Sequence, residues 1–165
     1  MKKITKLAIV TSALSLNVYA NTLADFHIGV SSAEVLDKSF TEFNIGYGAN
    51  IYTQSDIFVG FALDFAYGSA DLENTKSVDV FSSSADFKLG YAMFNQNLAL
   101  YGIGSGALQS VDTTNGAGFG YGAGIDYRFT KNFALNIEYK TYDMVSDKIP
   151  DYTYDKINTN LKYTF

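Results

Sequence analysis

Ten charged residues lie at alternate positions within stretches of the chain where polar and apolar residues alternate. They are Glu42, Asp64, Asp86, Lys88, Asp126, Arg128, Glu138, Lys140, Lys156 and Lys162. Because residues two apart share one face of a β-strand, these charges fall on the polar faces of their strands. Acids and bases occur together, so we predict a network of ion pairs in a tight interior, where unpaired charges are disfavoured. Asp64 with Lys88, on neighbouring strands, is the first pair expected.

Other residue types offer little for catalysis or metal binding. His27 is the single histidine, and we expect it to have a structural role on the polar face of the first strand. The chain has no cysteine, so no disulfide, thiolate or cysteine-based metal site is available. The acidic pairs Asp71 with Glu73 and Asp147 with Asp151 are interpreted as solvated loop residues. We therefore expect no catalytic residue, no metal site and no cofactor.

Eight segments of alternating polarity position the charged residues. They span residues 26–33, 41–52, 57–68, 78–93, 98–109, 117–129, 133–144 and 155–165. The fifth segment has an ambiguous phase, because apolar residues occur on both of its faces, and we predict that Tyr101 and Ile103 face outward. A period of two throughout predicts an all-β fold with eight antiparallel strands in up-and-down order.

The connections between these segments alternate in length. Residues 54–56, 95–97 and 130–132 form short polar turns, whereas residues 34–40, 70–77, 110–116 and 145–154 form longer loops. An even strand number with short turns at one end and longer loops at the other is typical of outer-membrane barrels, whose longer loops face the cell exterior. Residues 34–38, 71–76, 112–115 and 147–151 are therefore the candidate segments for contact with a surface ligand.

The polar face decides between a soluble barrel with an apolar core and a membrane barrel with an apolar exterior. That face is rich in glycine, at Gly46, Gly48, Gly60, Gly118, Gly120, Gly122 and Gly124. Glycine weakens a strand in open solvent but fits the crowded lumen of an eight-stranded barrel. Aromatic residues also gather near the short turns, as in an interfacial girdle, at Tyr52, Tyr91, Phe94, Phe129, Phe133, Tyr163 and Phe165. Both features favour a transmembrane β-barrel with a plugged, charged lumen.

The N-terminal residues 1–20 have the pattern of a secretory signal peptide. Lys2, Lys3 and Lys6 precede a short apolar stretch, and Ala20 ends a sequence suitable for cleavage. Residues 21–165 then form the barrel domain, with a formal charge of 9 − 17 = −8 after loss of the three lysines. An acidic chain without a basic patch argues against a nucleic-acid partner.

The last segment ends with Leu161, Tyr163 and Phe165 on its apolar face. This ending resembles the C-terminal signature of bacterial outer-membrane β-barrels, and the whole chain resembles the small eight-stranded barrels of the OmpA/OmpX type. The resemblance implies an integral protein of the bacterial outer membrane that contacts outer-membrane lipid and lipopolysaccharide. It also implies that the outer-membrane assembly machinery recognises the C-terminal strand through these three residues.

The predicted function is a structural or surface-interaction role, with the loops as the possible site for a surface ligand. A narrow, low-conductance pore is one alternative. A lipid-modifying enzyme is the other, because some small barrels that resemble this chain modify lipid A. Their chemistry needs a histidine near the outer leaflet, partnered by serine and a carboxylate, whereas His27 is expected near the periplasmic end. We therefore expect that the protein is not an enzyme.

Overall fold

The computed structural model describes residues 21–35, 38–70, 77–112, 114–148 and 150–165, and the predicted signal peptide lies outside them. Eight strands follow one another: β1 (Asn21–Val35), β2 (Lys38–Tyr52), β3 (Ile57–Ala70), β4 (Val78–Met93), β5 (Leu98–Val111), β6 (Thr114–Arg128), β7 (Phe133–Ser146) and β8 (Tyr152–Thr164). Each strand pairs with the next, and β8 pairs with β1 to close an antiparallel barrel. The predicted fold is confirmed.

Closure of the barrel is completed by strand β8. Its residues lie antiparallel to β1 from Tyr154 opposite Val35 to Thr164 opposite Asp25. The backbone N–H of Phe165 donates to the carbonyl oxygen of Ala24 at 3.1 Å. A closed ladder leaves no strand edge unpaired, which is the condition for β-structure to cross a bilayer. Within the described residues, no helix is long and apolar enough to span a membrane.

Two ends of the barrel are distinguished by their connections. At the loop end β1 ends at Val35, β3 at Ala70, β5 at Val111 and β7 at Ser146, and the turn end carries the three short turns together with β-strand ends at Asn21 and Thr164. The strands extend further at the loop end than predicted, so that Glu34 and Asn115 lie within strands. Residues 36–37, 71–76, 113 and 149 of the candidate contact segments lie outside the described part of the chain.

The outer wall of the barrel is covered by large apolar side chains. On β3, for example, Phe61, Leu63 and Phe65 are about half exposed, while the intervening Ala62 and Asp64 are buried. Leu161, Tyr163 and Phe165 also lie on this outer wall, where the ring centroids of Tyr163 and Phe165 are 5.4 Å apart. An apolar exterior around a closed barrel is the arrangement that a lipid environment requires.

The predicted aromatic girdle is wrong at one of its seven positions. Tyr52 is only 2% exposed and packs inside the barrel, with its ring centroid 5.3 Å from that of Phe58. The cause is the strict alternation of β2, in which Tyr47 faces outward and the even-numbered neighbours face inward. The other six residues are exposed near the turn end, namely Tyr91, Phe94, Phe129, Phe133, Tyr163 and Phe165.

The predicted phase of β5 is also wrong. Tyr101 and Ile103 are each 5% exposed and face the lumen, not the lipid. Tyr101 fits there because Gly124 lies beneath its ring; a Cβ atom at Gly124 would lie 2.6 Å from Tyr101 Cε2. The phenol also donates a hydrogen bond to Glu138 Oε1 at 2.8 Å. The outward prediction was based on the apolar character of tyrosine. The hydrogen bond from its buried hydroxyl to a charged acceptor stabilises the inward position more strongly.

Two glycine-to-alanine substitutions test the packing of the wall. At Gly122 a Cβ would overlap the backbone carbonyl of Tyr139 and lie 3.1 Å from Lys140 Cα, whereas at Gly104 it would meet nothing within 4 Å. We expect Gly122→Ala to lower the free energy of unfolding by about 1–3 kcal/mol through overpacking. Gly104→Ala, the matched control, is expected to be neutral or to stabilise by up to about 1 kcal/mol.

The measurement is the urea midpoint of each variant in lipid vesicles, with the folded fraction read from the mobility of unboiled samples in gels. Equal midpoints for the two variants would contradict the assigned wall geometry.

Candidate functional site

The barrel interior has three levels of side chains. An apolar and aromatic cluster fills the loop end, consisting of Ala33, Val35, Phe40, Ala70, Val80, Ala107, Val111, Tyr142, Met144, Tyr152 and Tyr154. A second cluster at the turn end consists of Tyr52, Phe58, Ala92, Ala99, Tyr101 and Ile103, with Leu23 packed against it. Most of the charged and amide side chains lie between the two clusters, while Asp126 lies beside the second cluster, opposite Ala99. The alternation of polarity predicts the charged middle level but not the two clusters, because their residues alternate with equally apolar residues on the outer wall.

Lys140 is the centre of the charged level. Its fully buried ammonium lies 3.0 Å from Asp64 Oδ2 and 3.0 Å from Glu138 Oε2, and it also contacts Asp86. These carboxylates come from strands β3, β4 and β7, so one side chain joins three parts of the wall. Oxygen atoms of the three carboxylates lie within 4.8 Å of one another, close enough to hold a metal ion. Here the ammonium of Lys140 supplies the compensating positive charge.

Glu138 is the acid with the most partners in this level. Its Oε1 atom accepts a hydrogen bond from Lys88 Nζ at 2.5 Å and from the Tyr101 hydroxyl at 2.8 Å. The side-chain amide of Asn136 donates to the Tyr101 oxygen at 2.5 Å. Glu138 is therefore held by charge-assisted bonds from β4 and β5 as well as by Lys140 on its own strand.

The expected pair of Asp64 with Lys88 is wrong. Asp64 contacts Lys140 and His27, while Lys88 bonds Glu138. The register explains the difference, because Asp64 lies opposite Ser84 on β4 and Lys88 lies four residues further along that strand. Because the lumen is narrow, Lys140 of β7 reaches Asp64 from the opposite wall, whereas Lys88 lies too far along the neighbouring strand.

His27 lies between two carboxylates inside the barrel. Its Nε2 atom is 2.5 Å from Asp64 Oδ1, and its Nδ1 atom is 3.2 Å from Asp25 Oδ1. Ionised carboxylates accept hydrogen bonds only, so an imidazolium that donates from both ring nitrogens would satisfy both contacts. His27 is thus part of the ion-pair network. It is only 4% exposed and faces the lumen, so it does not contact the lipid outside the wall.

Two further ion-pair groups lie toward the ends of the barrel. Near the turn end, Lys162 Nζ is 2.7 Å from Asp126 Oδ2 and 3.3 Å from Asp25 Oδ2. Nearer the loop end, the Tyr154 hydroxyl lies within hydrogen-bond distance of both Glu42 oxygens, at 2.8 and 2.7 Å. Lys156 Nζ lies 3.6 Å from Glu42 Oε2. Asp25 also contacts His27, so the Lys162 group is continuous with the charged level around Lys140.

Nine of the ten charged residues predicted for the lumen, all except Arg128, lie in these ion-pair contacts. Arg128 places its guanidinium over the Tyr52 ring, 5.5 Å from the centroid. Asp25 is a partner that was not predicted, although its position two residues before His27 puts it on the same face.

Acids and bases are nearly matched in number inside the barrel. In the part of the chain that the structure describes, the buried acids are six, Asp25, Glu42, Asp64, Asp86, Asp126 and Glu138, and the buried lysines are four, Lys88, Lys140, Lys156 and Lys162. The half-buried Arg128 adds a fifth positive group, and a protonated His27 would add a sixth. Among the described side chains, only three buried polar atoms have no hydrogen-bond partner, Ser84 Oγ, Gln109 Nε2 and Arg128 Nε. The arrangement satisfies its own charges, as a structural core must.

Comparisons with known proteins agree with this geometry. The crystal structure of Neisserial surface protein A matches with a TM-score of 0.61 at 16% identity, covering 88% of this chain and 99% of that chain. Ail, the attachment invasion locus protein of Yersinia pestis, in complex with the heparin analogue sucrose octasulfate, matches with a TM-score of 0.58 at 20% identity, covering 88% and 99%. No curated protein sequence gives a significant match. At these identities the structural likeness shows the fold alone.

The sequence itself identifies the family. Residues 7–165 match the family described as outer membrane protein beta-barrel domain, which includes all of the strands described above. Membership places the protein in the bacterial outer membrane and agrees with its apolar outer wall. The chain belongs to the outer membrane protein beta-barrel domain family.

Proposed function

We propose that this protein is a sealed barrel with a structural or surface-interaction role and no catalytic activity. The observation that carries the proposal is the set of contacts that cross the lumen at three levels. Tyr154 of β8 reaches Ser82 of β4 at 3.2 Å near the loop end, and Lys140 of β7 reaches Asp64 of β3 in the middle. Near the turn end, the Arg128 guanidinium of β6 lies over the Tyr52 ring of β2, 5.5 Å from its centroid. The lumen of an eight-stranded barrel has room for little else.

The same contacts weigh against a conducting pore. Ion conduction needs a continuous wetted path with binding weak enough for ions to leave. Here the lysines are engaged by buried carboxylates, and aromatic clusters lie above and below them. An enzyme acting on membrane lipid is disfavoured by the place of His27, whose two nitrogens are both engaged inside the barrel. A general base must reach its substrate.

The charge of the loop end bears on the kind of surface ligand. The four candidate contact segments, residues 34–38, 71–76, 112–115 and 147–151, contain seven acids and three lysines. The solved structure of Ail holds a heparin analogue, which is a polyanion. Like charges oppose one another across an interface, so the acidic loops of this chain favour a cationic or neutral ligand over a sulfated one.

We further propose that maturation follows the outer-membrane route. Cleavage after Ala20 would release residues 21–165, and the assembly machinery would recognise β8 through Leu161, Tyr163 and Phe165. These three side chains lie on the outer wall and are accessible from the lipid side. Lipid and lipopolysaccharide would then surround the aromatic exterior.

Conductance in planar bilayers tests the sealed interior. We expect no discrete current steps from the folded wild-type barrel, because three levels of side chains cross its lumen. Insertion is verified on the same preparation by the altered mobility of unboiled protein in gels. Regular, ion-selective current steps from fully folded protein would overturn the proposal in favour of the pore.

Replacing Lys140 tests the charge network. Lys140→Met removes the ammonium shared by Asp64, Asp86 and Glu138, and leaves three buried carboxylates with less compensation. We expect the free energy of unfolding to fall by about 3–5 kcal/mol, measured by urea titration in vesicles. Lys131→Met, at an exposed lysine in a turn, is the matched control and should change stability little. Equal stability of both variants would show that the network contributes nothing to the barrel.

Replacing Phe165 tests recognition by the assembly machinery. Phe165 and Phe94 are similarly exposed at the turn end, at 70% and 73%. We expect Phe165→Ala to reduce the folded protein recovered in the outer-membrane fraction, and Phe94→Ala to leave it unchanged. Both purified variants should refold in vesicles at comparable rates, since the expected defect lies in recognition. Equal recovery of the two variants from cells would contradict the assigned role.

A further inference from the structure

The outer wall contains a groove of about 740 Å³. It crosses strands β3 to β7, and its outward-facing lining includes Leu63, Phe65, Ala85, Gly106, Leu108 and Phe119. Asp143 is the only charged residue among those that line it. This volume falls within the range of about 300–1,000 Å³ typical of ligand pockets, although the groove is open along one side.

The groove exists because three successive outward positions in the middle of β5 are glycines, between the exposed Leu100 and Leu108. Gly102, Gly104 and Gly106 occupy successive outward positions, and Gly106 lies between Ala85 on β4 and Phe119 on β6. A Cβ at Gly104 would meet nothing within 4 Å, and one at Gly106 would meet only Phe119 Cε1 at 4.0 Å. Unlike Gly122, these glycines are not required by the packing of the barrel itself.

Phe119 lies on the β6 side of the groove and makes no ring contact with another described side chain. Phe119 is 84% exposed and Tyr121 is 69% exposed, because each lies opposite a glycine of β5. Elsewhere on the wall, Phe61 and Phe87 lie opposite one another with ring centroids 5.2 Å apart, and each is less than half exposed. The surface of Phe119 facing Gly106 is thus left for a molecule outside the chain.

The position of the groove identifies that molecule. The groove is continuous with the lipid-facing wall, and it extends from Leu63 in the middle of β3 to Val145 near the loop end of β7. The loop end of such a barrel faces the cell exterior, so this is the level of the outer leaflet. We propose that the groove binds one acyl chain of an outer-leaflet lipid, with Phe119 and Leu108 packed against the chain.

The proposal rests on the membrane-barrel fold and is independent of the sealed interior. Its test compares the full chain with Gly106→Leu, which fills the groove, and with Gly102→Leu. The second variant is a matched control, because Gly102 lies on the same face of β5 but outside the lining, and a Cβ there has contacts only at 4.0 Å. Each barrel is extracted from outer membranes in mild detergent and examined by native mass spectrometry, followed by titration with lipid A.

We expect wild type and Gly102→Leu to retain one lipid per barrel, and Gly106→Leu to retain at least about tenfold less, because several methylene contacts are lost. A lysophospholipid with a saturated chain should compete with lipid A, since the acyl chain is the recognised part. Equal retention by all three proteins, or retention by none, would overturn the proposal. A wild-type dimer that is lost in Gly106→Leu would assign the groove to a second copy instead.

Folding of Gly106→Leu is checked by gel mobility without boiling. If this variant does not fold, Phe119→Ala removes one wall of the groove without adding bulk, and must show the same loss of lipid. Retention unchanged in a folded Phe119→Ala barrel would equally contradict the assignment.

Discussion

The narrow lumen of an eight-stranded barrel is the constraint on which the rest of the structure depends. Inward side chains from opposite walls contact one another, so every polar group among them must find a partner within the protein. Lys140 is the partner of three carboxylates, which come from three strands. His27 is likewise the partner of Asp25 and Asp64. Aromatic clusters lie on the two sides of Lys140 and its partners, toward the loop end and the turn end.

The outer wall is subject to the opposite demand, because lipid offers no hydrogen bonds and accepts any apolar surface. Glycine therefore has two distinct structural roles in this chain. Gly124 and Gly122 face the lumen, where a side chain would collide with Tyr101 or with the neighbouring backbone. Gly104 and Gly106 face the lipid, where a side chain would fit freely. The lumen-facing glycines allow the core to pack, and the lipid-facing glycines create the groove in the outer wall.

Alternating polarity was enough to predict eight strands, their order and the orientation of most faces. The prediction failed at Tyr101 and Ile103, where both faces of β5 were apolar or small and the partner that decides the phase, Glu138, lies on another strand. Tyr52 was misassigned because an aromatic residue near a turn suits either side of the wall. The charged residues could be predicted as a set, but their pairing could not. Contacts across the lumen depend on barrel stagger, which sequence periodicity does not contain.

The central claim is that apolar side chains face lipid while the alternate positions are enclosed by the barrel. It is tested most directly by nuclear Overhauser measurements on the protein in lipid nanodiscs, along strand β3. We expect cross-peaks with lipid acyl protons from Phe61, Leu63 and Phe65, and none from Ala62 and Ala66, which are 6% and 3% exposed. Lipid cross-peaks from the two alanines, without any from Leu63, would show that the wall is inverted and would contradict the account.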